Sequence, residues 1–383
     1  MLGSATPALE SHHMAVTGRY ERLVLSKRTN DRPLPPVEIV DLSRTGAGPT
    51  RDPLISLPLH RALERCLGAG HQAVLFLNRR GFAPSVRCTA CEHVQRCPQC
   101  SVSLTEHRRA GSLRCHYCDY AQPIGTACQE CGSLELVTLG LGTEKLEDTL
   151  RTAFPSARVA RLDRDVATGR GVEAVLERVR RREVDLLVGT QMVTKGHDLP
   201  GVTLVGVLLA DQSLAFPDFR AAERTFQLLT QVAGRAGRAE TSGEVVLQTF
   251  QPHDPSILAA KEHSYDAFVR SELGSRRDVG YPPFGRLAAI RIDAADRLVS
   301  ERTAAMLASI AQSHTLVRTG RVDLLGPAPA PIERIRGRYR HRFLLKSAER
   351  RAIRAVALAV LTRIEEGLGL ARASVDIDPV NML

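Results

Sequence analysis

Between residues 88 and 131, eight cysteines fall in four pairs: Cys88/Cys91, Cys97/Cys100, Cys115/Cys118 and Cys128/Cys131. Each pair leaves two residues between its thiols, the spacing at which both can grip one tetrahedral ion. Two pairs complete a four-thiolate site, so eight thiols make two closed sites with no position left for a substrate. Zinc is the expected occupant, and an iron–sulfur cluster is the alternative that visible absorbance would reveal. Spacing alone leaves three ways of combining the pairs open. His93, His107 and His116 lie in the same stretch. Eight thiolates already saturate two sites, so these histidines read as surface residues. The ninth cysteine, Cys66, falls on the apolar stripe Leu59, Leu63, Cys66, Leu67 and reads as a core residue.

Two further constellations suit phosphate. The run Gln231-x-x-Gly234-Arg235-Ala236-Gly237-Arg238 closes a helical pattern over 221–236. Its glycines allow close backbone approach, and two arginines three apart on one helical face can point at one phosphate. In phosphoryl transfer such a guanidinium stabilises transition-state charge. Pairing with carboxylates on a solvated face is the competing use. The second constellation is RIRGRYRHRF, in which Arg334, Arg336, Arg338, Arg340 and Arg342 recur at every second residue. A single strand over 334–346 puts all five on one face, with the bulkier residues on the other. Five like charges repel, and a polyanion is the natural reason to hold them together.

The elements that position these residues alternate. Strands are expected at Val37–Leu42, Ala73–Leu77, Arg158–Leu162, 185–188, 202–209 and Glu244–Phe250. Helices are expected over the 59–67 stripe, from Thr143 as N-cap, over 172–182 and over 221–236. Such alternation implies an α/β unit with a mostly parallel sheet, whose ligands sit beyond the carboxyl ends of the strands. Thr190, Gln191, Lys195, Gly196 and Asp198 follow such an end. For Lys195 and Asp198 the competing reading is a local ion pair, and the run 178–182 (RVRRR) reads as a solvated helix end. The α/β rhythm resumes after the cysteines, so they form an insertion. One helical segment over 255–277 leads to a Tyr281-Pro282-Pro283-Phe284-Gly285 boundary. Beyond it, strands at 287–292, 321–325, 334–346 and 373–378 and helices at 296–313 and 348–366 make a small α+β domain.

Composition narrows the class. The 383 residues carry a formal charge of +10 with a pI near 9.4, which suits nucleic acid before membrane. With 43% apolar residues and a mean hydropathy of −0.12, the chain reads as globular. The longest strictly apolar run, Ala355–Leu361, is far short of a membrane span. The opening residues show no signal-peptide pattern, so a cytoplasmic, reducing compartment is expected, where paired cysteines bind metal rather than form disulfides.

Gly3-Ser4-Ala5-Thr6-Pro7 resembles motif III of superfamily 2 helicases. GTQM-x2-KGHD at 189–198 and PDFRAAERTFQLLTQVAGRAGR at 217–238 resemble motifs V and VI. With the cysteine module, essentially the whole chain resembles the primosomal protein N′ (PriA) family of replication-restart helicases. The resemblance implies a RecA-like helicase lobe 2 formed by 56–87 and 132–254, with a two-zinc, eight-cysteine module inserted at 88–131. It implies a connecting helix at 255–280, a C-terminal DNA-binding α+β domain at 281–383, and in 1–55 a remnant of helicase lobe 1 and a linker. It pairs Cys88, Cys91, Cys128 and Cys131 on one zinc, and Cys97, Cys100, Cys115 and Cys118 on the other. Thr190, Gln191 and Lys195 would meet DNA, Gly196 and Asp198 the nucleotide, and Gln231, Arg235 and Arg238 its γ-phosphate.

The function so implied is binding of forked or single-stranded DNA, engagement of primosome proteins and single-stranded-DNA-binding protein, and ATP-driven 3′–5′ unwinding. No G-x4-G-K-[ST] occurs in the sequence, and no DExH-type strand end precedes residue 3. ATP and magnesium are therefore expected only if a missing N-terminal lobe is supplied. The alternative is a motor-less zinc-dependent scaffold that binds DNA and recruits primosome partners. Four Lys/Arg against four acids within 88–131 favour a protein-partner surface there over strong DNA grip.

Overall fold

The structure is a computed structural model. It describes residues 3–382 apart from 26–32, 46–47, 51, 53, 78–84, 89, 92, 94, 99–103, 108–110, 116–119, 126, 135, 140–142, 164–170, 191–198, 216 and 238–241. In chain order the first elements are α1 (Leu9–Val16), β1 (Val37–Asp41), α2 (Leu57–Gly68) and β2 (Gln72–Leu77). Short strands follow: β3 (Ser85–Cys88), β4 (Thr105–His107), β5 (Ser112–Arg114), β6 (Ala121–Pro123) and β7 (Leu136–Leu139). Then come α3 (Thr143–Ala153), β8 (Val159–Leu162), α4 (Gly171–Arg180), β9 (Leu186–Gly189), β10 (Val202–Leu208), α5 (Ala221–Ala233) and β11 (Glu244–Thr249). The chain continues through α6 (Pro255–Lys261), α7 (Tyr265–Asp278), β12 (Arg286–Ala294), α8 (Arg297–Ser313) and α9 (Thr315–Arg318). It ends with β13 (Asp323–Ile335), β14 (Arg338–Ser347), α10 (Arg350–Glu365) and β15 (Arg372–Ile377). Two compact units result: Met1–Phe82 with Leu141–Phe216 and Arg220–Glu272, and Ala83–Gly140 with Pro217–Phe219 and Leu273–Leu383.

The first unit is an α/β fold built on a six-stranded parallel sheet, ordered β1-β11-β10-β2-β9-β8. Its inner strands are buried on both faces, as parallel strands flanked by helices must be, so they are continuous apolar runs. Ser56 caps α2 by accepting from the Leu59 N–H, with Pro58 in the first turn. The same hydroxyl donates to the buried side chain of Gln248, fastening the helix to β11. Leu59, Leu63 and Cys66 then face the core, where each leucine contributes about 2 kcal/mol.

Three local expectations fail in this unit. The helix expected to carry Arg235 and Arg238 stops at Ala233, because the glycine that follows favours leaving the helix; Arg235 lies in a turn, not on a helical face. The segment expected as one helix over 255–277 is two, broken where His263 takes a left-handed φ of 51°. Thr143 begins α3 rather than capping it, and its hydroxyl donates to the Asp163 carboxylate. The arginines at 178–182 behave as a solvated helix end: Arg180 pairs with Glu173 at 2.7 Å and Arg181 with Glu177 at 3.1 Å.

The second unit holds a four-stranded antiparallel sheet ordered β13-β14-β12-β15. Ile290, Ile292, Phe343 and Leu345 share a core with residues of α8 and α10. The single strand expected over 334–346 is instead the tip of a hairpin. Arg336 (φ 51°) and Gly337 (φ 76°) form a two-residue turn, so Arg334 pairs across to Tyr339 and Ile335 to Arg338. Both central residues are left-handed, the geometry that closes a tight hairpin and that Gly337 makes inexpensive. The cysteine module belongs to the same unit: Val86, Cys97, Leu104, Leu113 and Cys115 form a small core against which Ile335 packs. Among the described residues no helix is long and apolar enough to cross a membrane.

Candidate metal centre and nucleic-acid interface

Cys88 ends β3 and Cys91 follows in the next turn, while Cys128 and Cys131 flank a turn just before β7. Antiparallel pairing of β3 with β7 sets Cys88 opposite Leu136 and so brings the two turns together. Backbone bonds shape each turn: Cys88 N–H donates to His93 O and Cys128 N–H to Ser133 O, both at 2.8 Å. All four Sγ atoms lie within 4.8 Å of one another, with Cys88–Cys131 and Cys91–Cys128 at 3.6 Å. Thiolates on a tetrahedral zinc stand about 3.8 Å apart, so this donor set fits such an ion. Of the second set, Cys97 and Cys115 are buried in the module core, while Cys100 and Cys118 lie outside the described residues. His93 sits 4.0 Å from Glu130; His116 and the side chain of His107 are outside the described residues.

Cys88 and Cys91 titrate unequally without a cation. Burial pushes Cys88 up, but the N–H groups of Cys91 and Ala90 and the thiols of Cys131 and Cys91 outweigh it, holding Cys88 at about 7. At Cys91 the His93 N–H works downward, yet the Cys131 thiol, burial, and then Cys128 and Cys88 push it up to about 12. Full deprotonation therefore needs a positive ion, the coupling that makes such sites release protons on metal binding.

At the carboxyl ends of the parallel strands, Thr190 is buried just past β9 and its N–H donates to Leu162 O at 3.3 Å. Gln191, Lys195, Gly196, Asp198 and Arg238 lie outside the described residues. Gln231 is exposed on the last turn of α5, and Arg235 is half-buried in the turn after it. That turn depends on Gly237, at φ 68°: a Cβ there would meet the Gly243 nitrogen at 2.4 Å. A neighbouring feature went unread in the sequence. Arg161 on β8 is buried among Glu144, Glu147 and Asp163 at 3.9, 3.6 and 3.5 Å. The signal was an arginine inside an otherwise apolar strand.

Residues 3–16 are fastened to the helix that precedes this turn. Glu223, buried, accepts from the Leu9 N–H, and Gln227 donates to Thr6 O at 3.2 Å. Arg220 pairs with Glu10, and the Tyr265 hydroxyl donates to Pro7 O at 2.8 Å. The motif III-like segment is thus tied to the same helix that leads into the Gly-Arg-Ala-Gly turn. Arg220, Glu223, Gln227 and Tyr265 were not singled out from sequence, because each reads alone as an ordinary helix residue.

The five arginines of 334–342 do not share a face. Arg338, Arg340 and Arg342 alternate on β14 with the buried His341 and Phe343, and so lie on the sheet face opposite the helices. Arg334, across from Tyr339, lies over that ring at 4.9 Å and donates to Pro98 O in the cysteine module at 2.7 Å. Arg336 occupies the turn. Arg291 of β12, in register with Arg342, joins the outer face instead. Acids temper it: Arg338 pairs with Asp293, and Arg291 with Asp376 at 2.6 Å.

Three family models match the chain: Helicase conserved C-terminal domain over 137–240, PriA DNA helicase Cys-rich region (CRR) domain over 97–123, and Primosomal protein N C-terminal domain over 277–380. The cysteine-rich stretch is accordingly a zinc-binding region. Among curated relatives named replication restart protein PriA, that of Bacillus subtilis is 40% identical, covering 100% of this chain and 48% of its own length. That of Haemophilus influenzae is 40% identical over 100% and 52%, and that of Treponema pallidum 37% over 100% and 57%. The chain thus spans about half the length of the curated relatives it matches.

Proposed function

Because this chain belongs to the replication restart protein PriA family, we propose that it forms the second helicase lobe, zinc module and DNA-gripping C-terminal domain of a replication-restart helicase. The observation that carries the DNA reading is the placement of Arg338, Arg340 and Arg342 on one sheet face, away from the core. Phosphate contacts there position forked or single-stranded DNA without reading sequence. Cys88, Cys91, Cys128 and Cys131 hold one zinc, and Cys97, Cys100, Cys115 and Cys118 a second. Thr190, Gln191 and Lys195 line the DNA path at the lobe, and Gly196 and Asp198 face nucleotide. Gln231, Arg235 and Arg238 serve the γ-phosphate when a first lobe supplies ATP and magnesium, which in phosphoryl transfer is the role of an arginine finger. Primosome proteins and single-stranded-DNA-binding protein dock on the cysteine module, and the compartment is the cytoplasm.

Measuring DNA affinity against salt tests the sheet face. The R338A/R340A variant should lose about 0.7 to 0.9 of slope for each phosphate contact removed. An unchanged slope sinks the assignment. A second reading is a motor-less scaffold with the same zinc and DNA contacts. DNA-stimulated ATP hydrolysis by the native polypeptide decides between them: turnover supports the helicase, and its absence the scaffold.

A further inference from the structure

Residues 381–382 lie across the outer face of the C-terminal sheet. Arg342 donates to the carbonyl oxygen of Met382, and Arg291 to that of Asn381 at 2.8 Å. Met382 is buried, and its N–H donates to Oδ2 of Asp218 at 3.3 Å. Asp218 is held in turn: its neighbour Phe219 stacks on Tyr281 at 5.3 Å and lies beneath Arg276 at 5.1 Å. The tail is therefore seated at an anchored point rather than lying loose.

What it covers is an unusual pair. Arg291 and Arg342 are direct cross-strand partners, an arrangement in which like charges repel. Burial and then Arg291 push Arg342 down from its ordinary range against a weaker upward pull from Asp218, so Arg342 bears a cost in its covered state while Asp376 bonds Arg291 at 2.6 Å. Two main-chain carbonyl oxygens occupy the guanidinium edges. An ionised phosphate oxygen is the stronger acceptor for the same groups. Exchanging carbonyls for phosphates relieves the repulsion and strengthens both bonds.

We infer that residues 379–382 act as a strap, shielding Arg291 and Arg342 from nucleic-acid phosphates and yielding to them when DNA engages the sheet. The inference rests on the reading of this sheet face as DNA-binding. It predicts a latent pair of phosphate contacts, added to those of Arg338 and Arg340, that the closed tail withholds.

Two variants of the full chain test it. One ends after Asp378; the other is M382P, which removes the N–H that Asp218 receives while keeping length and charge. Binding of a labelled single-stranded oligonucleotide is followed across a salt series. Both variants should bind at least about threefold more tightly, with a log–log salt slope steeper by about 0.7 for each arginine uncovered. Parent-like affinity and slope in both variants overturn the strap. So does tighter binding with an unchanged slope, because uncovered arginines must add phosphate contacts. The R338A/R340A variant separates the two readings: it reports whether the sheet face meets DNA at all, whatever the tail does.

Discussion

The carboxylate of Glu223 accepts a hydrogen bond from the backbone N–H of Leu9 at 3.0 Å, across 214 positions of sequence. Glu223 is 4% exposed and Leu9 is fully buried, so the bond sits where an unpaired group is expensive. It lies at the amino end of α1, where a helix presents free N–H groups and favours negative charge. One carboxylate thus joins the motif III-like segment to the helix that ends at the arginine turn. Replacing Glu223 by alanine should cost about 1–3 kcal/mol and expose residues 3–16 to protease, read by thermal unfolding and limited digestion. E223Q keeps an acceptor oxygen and should lose less. Equal losses in both would mean that the negative charge, rather than the acceptor oxygen or the bulk, carries the contact.

Gly237 offers a sharper case. Any side chain there meets Gly243 backbone at 2.4 Å and also carries the penalty of a left-handed φ. G237A should destabilise the chain by more than about 1 kcal/mol in chemical unfolding, because neither neighbour is a flexible side chain that could move aside. A parent-like midpoint would show that the turn rearranges freely.

Arg161 is buried among three carboxylates. Replacing it by methionine keeps the bulk and strands the acids, so a loss of about 3–5 kcal/mol is expected at neutral pH. Protonating the stranded acids should recover part of that loss, so the deficit should shrink on acidification. A pH-independent deficit would assign it to shape rather than charge.

The module should lose its metal on acidification and release protons on reloading. In metal-free protein Cys88, at about 7, gives up its proton more readily than Cys91, which is pushed up to about 12. Brief alkylation near neutral pH, mapped by mass spectrometry, should mark Cys88 before Cys91, and bound zinc should suppress both. Early labelling of Cys91 would contradict the arrangement.

Asp185 accepts from Arg158, whose guanidinium is the chief cause holding its carboxyl below the usual range. The folded value is depressed, so its stabilisation is present above the unfolded pKa and lost as pH falls below it. Because Arg158 is 56% exposed, R158A should cost little at neutral pH, with parent and variant converging in acid. Curves that stay apart in acid would point to lost packing.

The parallel sheet was legible because strands buried on both faces, such as 186–189 and 202–208, carry their apolar runs openly. The cysteine pairs were equally plain. RIRGRYRHRF misled because its period of two continues through the turn: Arg334 and Arg338 keep the alternation although the chain reverses between them at Gly337. The glycine was the available signal. The break at His263 had none, since histidine there relies on tertiary contact, its Nε2 lying 2.8 Å from Pro35 O. What surrounds Arg342 comes from distant segments, and no local pattern announces it.

The chain passes between its two units five times, after residues 82, 140, 216, 219 and 272. No single cut yields two pieces that each contain one whole unit. Neither unit can therefore be gained, lost or exchanged as one uninterrupted stretch of gene. The cysteine module, enclosed by segments of the other unit, is bound to be inherited with the helicase lobe.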